Sequence, residues 1–501
     1  MNFEENKEEY NHKLELPNYL YPTIDLLESN DIVFSTDEVI ETKKKLMHTL
    51  QANNIDVSSL KITVGYTNTL YEMIPPKGLR LSRLKGLHAE LSFNMGISDI
   101  SIEPLYERGS IGFIIPNKEH VKLPIKSIIE SDDFNESDYE LPIIIGRTLT
   151  HKNIIVDLKE KGHILVSGAT GQGKSVLLNV IIASLLYKKH PSDLKLVLLD
   201  SVKLELSLYS IVEKHFLAKL PDNTGVVYDT LGALHTLESL TREMDDRIEL
   251  LMKANVRSFK EYNALFKNRG LNPSNGFRYM PYVVAIIDNY SDLVIGDGEL
   301  YIKNLVSRAH IVGIHLILSL HRPSHDVVAK EIKSVFPVRI AFKMASRDDS
   351  RMILEEDGAE GLSGNGDAIY KDELMKFRVQ VPFISTNEVK RIASFIGSQQ
   401  GFDCAYPLPE VFFYSEDLGF DHLKDRDILF DEAARLIVIH QQGSISLIQR
   451  KFNIGYNRAG RLMDQLEVAG IVGDDRNSYP REVLVDDEYC LERLLEKVRL
   501  Y

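Results

Sequence analysis

Residues 163–178, HILVSGATGQGKSVLL, constrain this chain more than any other stretch. Gly168, Gly173, Lys174 and Ser175 stand at the spacing G-x-x-x-x-G-K-S, with an apolar, strand-like run before them and an apolar, helix-like run after. A strand that ends in a glycine-rich turn and re-enters a helix points successive backbone N–H groups inward. It also adds the positive end of the helix dipole, so the turn can cradle a di- or triphosphate. The pattern assigns Gly168, Ala169, Thr170, Gly171, Gln172, Gly173, Lys174, Ser175 and Val176 to nucleotide binding. Lys174 is expected on the β/γ-phosphates and Ser175 on Mg2+.

Strands and helices alternate from about Leu141: ILVSG, an apolar helix 176–186, LKLVLLD, a long helix from Leu231 to about Met252, YVVAIID, a helix ending near His310, and GIHLILSL. Apolar runs of four to eight residues are what strands buried on both faces look like, and their alternation with helices predicts a parallel sheet. In such sheets ligands sit at the carboxyl ends of the strands, where the P-loop and Asp288 both fall. Asp288, ending VVAIID, is therefore expected to hold Mg2+ together with Ser175. The next residue, where many P-loop ATPases carry a glutamate, is Asn289, whose amide can orient water but cannot take its proton. Asp292 and Glu205 are the nearest carboxylates in sequence that could compensate. Arg308 ends the helix before GIHLILSL, a place that suits either the helix dipole or the nucleotide of a neighbouring subunit.

At 501 residues the chain needs several cores. The expected divisions are an N-terminal arm and helix (1–57), a small α+β domain (58–140), the P-loop domain (141–397), an acidic linker (398–425), a winged helix-turn-helix domain (426–487) and a C-terminal helix or tail (488–501). The winged fold is read from three helices followed by the strand-turn-strand GIVGDDRNSYPREVLV. The formal charge of −14 excludes a surface that coats nucleic acid, so DNA contact must be local. Arg450, Lys451, Arg458 and Arg461 supply such a patch, with no acid between Ser444 and Met463, and Arg481 lies in the expected wing. Two cysteines cannot build a disulfide framework, no apolar run is long enough to span a membrane, and Met1–Tyr10 is unlike a signal peptide. A cytoplasmic location is expected.

In order, GATGQGKSVLLN, LLDSVKLELSLY, VVAIIDNYSDL, SRAHIVGIHLILSLHRPS, VRIAFKMASRDDSRMIL and GAEGLSGNGDAIY resemble the motor motifs of the FtsK/SpoIIIE double-stranded DNA translocases. SISLIQRKFNIGYNRAGRLMDQLEVAGIVG resembles that family's C-terminal γ domain, and PTIDLL, GLRLSRLKGLHAELS and SIGFIIPN its α domain. The resemblance implies an α/β, RecA-like P-loop core and an ATP- and Mg2+-dependent motor. It also implies a hexameric ring of identical subunits around duplex DNA, working in chromosome segregation or DNA transfer. It makes Lys174, Asp288 and Arg308 catalytic, Arg308 as an arginine finger. Arg322, Arg347 and Arg351 match positions that touch DNA in the ring, and Asn457, Arg458 and Arg461 match the γ recognition helix. Three departures stand out: Asn289 for glutamate, His321 for the glutamine before RPS, and Ser201-Val202 for Pro-Lys. The family's membrane-anchoring domain has no counterpart in this sequence, so no membrane insertion is expected, and a recruiting protein is the expected partner of residues 1–30. Two readings compete with the motor. One is a nucleotide-binding, hydrolysis-poor ring that clamps DNA. The other, a protein-secretion motor, leaves the γ-like domain without a purpose.

Overall fold

The computed structural model describes residues 10–29, 36–410 and 427–495, apart from 58, 98–99, 106–107, 204, 222–223, 295–297, 322–335, 474–479, 486–490 and 493–494. The chain divides into two compact units, Met1–Val411 and Phe412–Tyr501.

The first unit opens with an α+β piece. Strands β1 (Leu60–Val64), β2 (Asn68–Met73), β3 (Ser101–Leu105) and β4 (Ser110–Pro116) form an antiparallel sheet in the order β1-β2-β4-β3. The helix Thr36–Ala52 packs Leu46 and Leu50 into the same core as Tyr71 and Phe113. That helix therefore belongs to this piece rather than to a separate arm ending at 57, because its apolar stripe has nowhere else to be buried. Ser35, which stands at capping-box spacing ahead of Glu38 in the sequence, lies outside the described residues. At the other end, Leu123, Ile125, Ile128 and Phe134 join the larger core, so the α+β piece ends before 140.

The large sheet follows. Its strands are β5 (Pro142–Thr148), β6 (Asn153–Asp157), β7 (Ile164–Ser167), β8 (Leu194–Asp200), β10 (Val226–Val227), β11 (Tyr282–Asp288), β12 (Ile314–Leu320), β13 (Val338–Phe342), β14 (Asp367–Lys371) and β15 (Lys376–Gln380). Two short strands, β9 (Ala218–Lys219) and β16 (Tyr406–Pro407), pair separately. The ten-strand order is β10-β8-β11-β12-β7-β13-β14-β15-β5-β6. From β10 to β13 every pairing is parallel. From β13 to β6 every pairing is antiparallel. The expectation of a parallel sheet thus holds for six strands only. The two halves differ in burial: β7, β8, β11 and β12 are buried at every residue, while β15 exposes part of its length. Short connections between β14 and β15 and between β5 and β6 favour hairpins, since a parallel crossover needs a dozen or more residues.

Two expected boundaries move further. Leu16, Tyr19 and Leu27 are buried in the large core, and His12 Nε2 lies 2.5 Å from Asp193 Oδ1, so residues 10–29 are bound along the sheet rather than presented as an arm. Residues 398–410 are equally engaged: β16 pairs with β9 and Leu408 is buried. The remainder of the expected linker, 411–426, is outside the described residues.

Arg247, fully buried in the helix Thr230–Lys253, ties the lower edge of the sheet together. Its Nε donates to Glu243 Oε1 at 2.8 Å, and its Nη1 donates to the carbonyls of Pro281 (2.9 Å) and Val312 (3.0 Å), just ahead of β11 and β12. Glu243 is held on its other oxygen by Arg278 at 2.7 Å.

The second unit has the helices Phe430–His440, Ile445–Phe452 and Tyr456–Val468 around one apolar core. Antiparallel bridges join Val472 to Val483 and Gly443 to Arg481. The expected tail, 488–501, lies largely outside the described residues. No helix among the described residues is long and apolar enough to cross a membrane.

Removing one partner of a buried ion pair costs about 3–5 kcal/mol. Arg247→Ala is accordingly expected to lower stability by that order, seen as a large drop in the thermal midpoint of the first unit. A midpoint within error of wild type would contradict this role.

Candidate nucleotide site and basic surfaces

β7 ends at Ser167 and the helix Lys174–Lys188 begins at the other side of the P-loop. Only glycine fits two of the turn positions. Gly168 has φ +157° and a Cβ there would lie 2.6 Å from the Cβ of Phe342; Gly173 has φ +121° and a Cβ would meet the Phe342 ring and Gly366. The loop is pinned from both sides, with the Ala169 N–H donating to the Lys343 carbonyl (3.0 Å) and the Gly366 N–H to the Gln172 carbonyl (3.1 Å). Lys174 is buried and its Nζ donates to the carbonyls of Gly168 (2.7 Å) and Ala169 (3.0 Å). Burial lowers its ammonium pKa to about 8, against a raising pull from Asp288.

β12 lies between β7 and β11, and its register fixes the site: Leu320 is level with Ser167, and Leu318 with Ile287. Neighbouring strands are about 4.8 Å apart, so Asp288 is roughly 10 Å across the sheet from the start of the P-loop. The Asp288 carboxylate is 5% exposed, and burial raises its pKa. The Ser319 hydroxyl beside it pulls the value down and Asp200 pushes it up. A site of glycine N–H groups, a lysine and a serine hydroxyl, facing a buried carboxylate, fits a nucleotide phosphate with Mg2+ held by Ser175 and Asp288.

The residue after Asp288 has a left-handed backbone: Asn289 has φ 57° and is 3% exposed, and its Oδ1 is buried without a hydrogen-bond partner. Neither carboxylate named from sequence is freely aimed at the loop. Glu205 accepts from Asn179 of the P-loop helix at 3.2 Å, and Asp292 is exposed with Ser201 at 3.4 Å. Asp200, which ends β8 level with Asp288, was legible by the same signal, an apolar strand closing on aspartate. Its oxygens accept the N–H groups of Val202, Lys203 and Leu206, so it shapes its own loop. Ser319 has no sequence signal beyond being polar in an apolar strand.

Arg308 is not part of this site within one chain. It precedes the start of β12, while the P-loop lies beyond its end, and seven residues of strand span roughly 20 Å. The guanidinium is about half exposed and holds Asn304 Oδ1 at 2.7 Å and Asp245 Oδ1 at 3.4 Å.

The basic residues separate into two groups. Arg347 and Arg351 lie on the helix Arg347–Leu354, exposed, with Arg351 2.6 Å from Asp357 and Arg347 3.8 Å from Glu360. Arg322 is outside the described residues. In the second unit Arg450, Lys451 and Arg461 are exposed. Arg458 instead makes a two-pronged contact with Asp427, 2.7 Å on each arm, and Arg481 is nearly buried against Glu467 (2.5 Å) and Asp464 (2.9 Å). The acid-free stretch in sequence is therefore not acid-free in space. Of Asn457 only the backbone, in the helix Tyr456–Val468, is described.

Comparison with known proteins gives three family matches: the FtsK/SpoIIIE family over residues 124–356, the FtsK alpha domain over 21–117 and the FtsK gamma domain over 424–486. DNA translocase FtsK of Chlorobaculum tepidum is 39% identical over 497 residues, covering 96% of this chain and 61% of that protein. DNA translocase SpoIIIE of Bacillus subtilis is 34% identical over 485 residues, 95% of this chain and 60% of that protein. The chain thus spans about three fifths of the length of the curated relatives it matches. Among solved structures, the pCW3 conjugation coupling protein TcpA with ATPγS matches at a TM-score of 0.47 and 20% identity, covering 71% of this chain and 99% of that one.

A raised Asp288 pKa means the folded chain disfavours its ionised form. That cost to stability is fully present above the folded pKa and vanishes below the unfolded one. Asp288→Asn should then raise the melting temperature of nucleotide-free protein near pH 7, with the gain shrinking as pH falls. Calorimetry showing no gain at neutral pH would count against a strained carboxylate.

Proposed function

Because this chain belongs to the FtsK/SpoIIIE family, we propose that it is an ATPase that moves double-stranded DNA through a ring of identical subunits, six by family resemblance. The observation that carries the reading is the placing of the P-loop and Asp288 on one edge of the sheet, two strands apart, in a chain that also matches the alpha and gamma domains. Lys174 and the loop N–H groups bind the β/γ-phosphates of ATP. Ser175 and Asp288 would hold Mg2+, which would supply charge neutralisation on the phosphates.

Arg308 acts in trans. Because it sits at the opposite edge of the sheet from its own P-loop, the only γ-phosphate open to it is a neighbour's. Such fingers contribute roughly 10³–10⁵ in turnover in other P-loop systems. Arg347 and Arg351, exposed on one short helix, suit phosphate contact inside the ring, and Arg322 extends the same reading. In the second unit, three helices and antiparallel bridges support a winged helix-turn-helix that reads duplex DNA through the helix Tyr456–Val468. Asn457 and Arg461 are its reading residues. Arg450 contacts phosphate, and Arg458 joins in after releasing Asp427, whereas Arg481 fixes the wing. Work on chromosomal DNA places the protein in the cytoplasm, and the N-terminal residues 1–30 are where a recruiting protein would act.

A second reading, a hydrolysis-poor DNA clamp, is favoured by one observation, the amide of Asn289 beside Asp288. Steady-state ATPase with and without long duplex DNA separates the two. The motor reading expects DNA-stimulated turnover that Lys174→Ala abolishes; ATP binding without turnover is the clamp.

For DNA binding, Arg450→Ala and Arg461→Ala should each weaken affinity and reduce the slope of log K against log[salt] by about 1. Arg481→Ala should chiefly destabilise the second unit. Salt titrations in which Arg461→Ala keeps the wild-type slope would remove that helix from the DNA interface.

A further inference from the structure

Hydrolysis of a phosphoanhydride needs a group that orients the attacking water and takes its proton. Asn289 offers only an acceptor for the first task, a buried Oδ1 that no protein donor satisfies. Among the nearby carboxylates, Asp200 is occupied by three N–H groups of its own loop, Glu205 is tied to Asn179, and Asp292 faces solvent.

His321 occupies the remaining place. It follows β12 directly, level with Gly168 on one side and one residue beyond Asn289 on the other, as the pairings of Leu320 with Ser167 and Leu318 with Ile287 require. Adjacent strands about 4.8 Å apart put His321 at the end of β12, between the strand that leads into the P-loop and the one that leads into Asn289. The charged groups that act on the ring are Lys174 from the P-loop helix and Asp288 and Asp292 from the β11 side. No hydrogen bond or ion pair joins His321 to any of them, and its Nδ1 is buried without a partner.

We propose that His321 and Asn289 together replace a carboxylate base: the Asn289 amide oxygen orients the attacking water and the His321 imidazole accepts its proton. The water oxygen bonds to the γ-phosphorus while the bond from that phosphorus to the bridging oxygen breaks, with its electron pair leaving on ADP. The imidazolium then returns its proton to solvent. Burial and Lys174 lower the ring's pKa, with Asp288 and Asp292 opposing, so the imidazole is neutral and able to accept a proton at pH 7.

The proposal rests on the ATPase reading, and the experiment separates the two. Turnover of the full chain is measured with long duplex DNA across pH, alongside binding of a fluorescent ATP analogue. His321→Gln should lower kcat by about 10²–10⁴-fold while analogue binding is kept. Adding Asn289→Glu in that background should restore turnover and abolish the acid limb that imidazole protonation gives the wild type. Full turnover in His321→Gln overturns the proposal and leaves the ATPase reading standing. A loss that Asn289→Glu does not rescue, or one that follows weakened analogue binding, shows a structural role and also overturns it. A native chain that binds the analogue without turnover overturns both.

Discussion

Lys174 and Asp288 are held on one edge of the sheet with β12 between them, both poorly solvated and not in contact with each other. The ammonium is pushed down to about 8 and the carboxyl is pushed up, each because burial outweighs the pull of the opposite charge across the site. A fold keeps such a pair only when the surrounding strands over-determine it. Here β7, β11 and β12 are buried along their full length, and the P-loop is clamped against Phe342, Lys343 and Gly366. A phosphate at Lys174 and a divalent cation at Asp288 would relieve both shifts, which supports the nucleotide reading proposed for the site.

The rest of the first unit can be understood as support for that edge. Below it, Arg247 and Glu243 fasten the starts of β11 and β12 to one helix, which fixes how far their ends project. Beside it, the antiparallel half of the sheet carries a polar seam to the α+β piece. Arg378 binds Asp367 at 2.7 Å and Glu103 at 3.1 Å, Asn68 donates to Asp367 at 3.2 Å, and Thr67 hydrogen-bonds Gln380. Buried charges that are paired and hydrogen-bonded in this way set register more than they add stability.

Much of the site was legible from order and spacing alone. G-x-x-x-x-G-K-S needs only a strand before and a helix after, and an apolar strand ending in Asp288 needs only its own seven residues. Arginines were harder to read. Arg458 lies in a stretch without acids, yet Asp427 reaches it, and Arg481 in the wing is held by Asp464 and Glu467. Periodicity groups the helix Thr36–Ala52 with the N-terminal segment and leaves residues 398–410 in a linker, because their partners, Tyr71 and Ala218, lie too far along the chain for it to reveal.

By itself the sequence determined the phosphate cradle, the run of buried strands and the absence of a carboxylate at Asn289, since each depends on neighbours within a few residues whose backbone preferences are local. Only the tertiary structure decided the strand order that sets His321 between the P-loop and Asn289, the edge that separates Arg308 from its own P-loop, and which arginines remain exposed. Those outcomes depend on pairings between distant segments, where burial and charge neutralisation are shared by groups that no spacing rule connects.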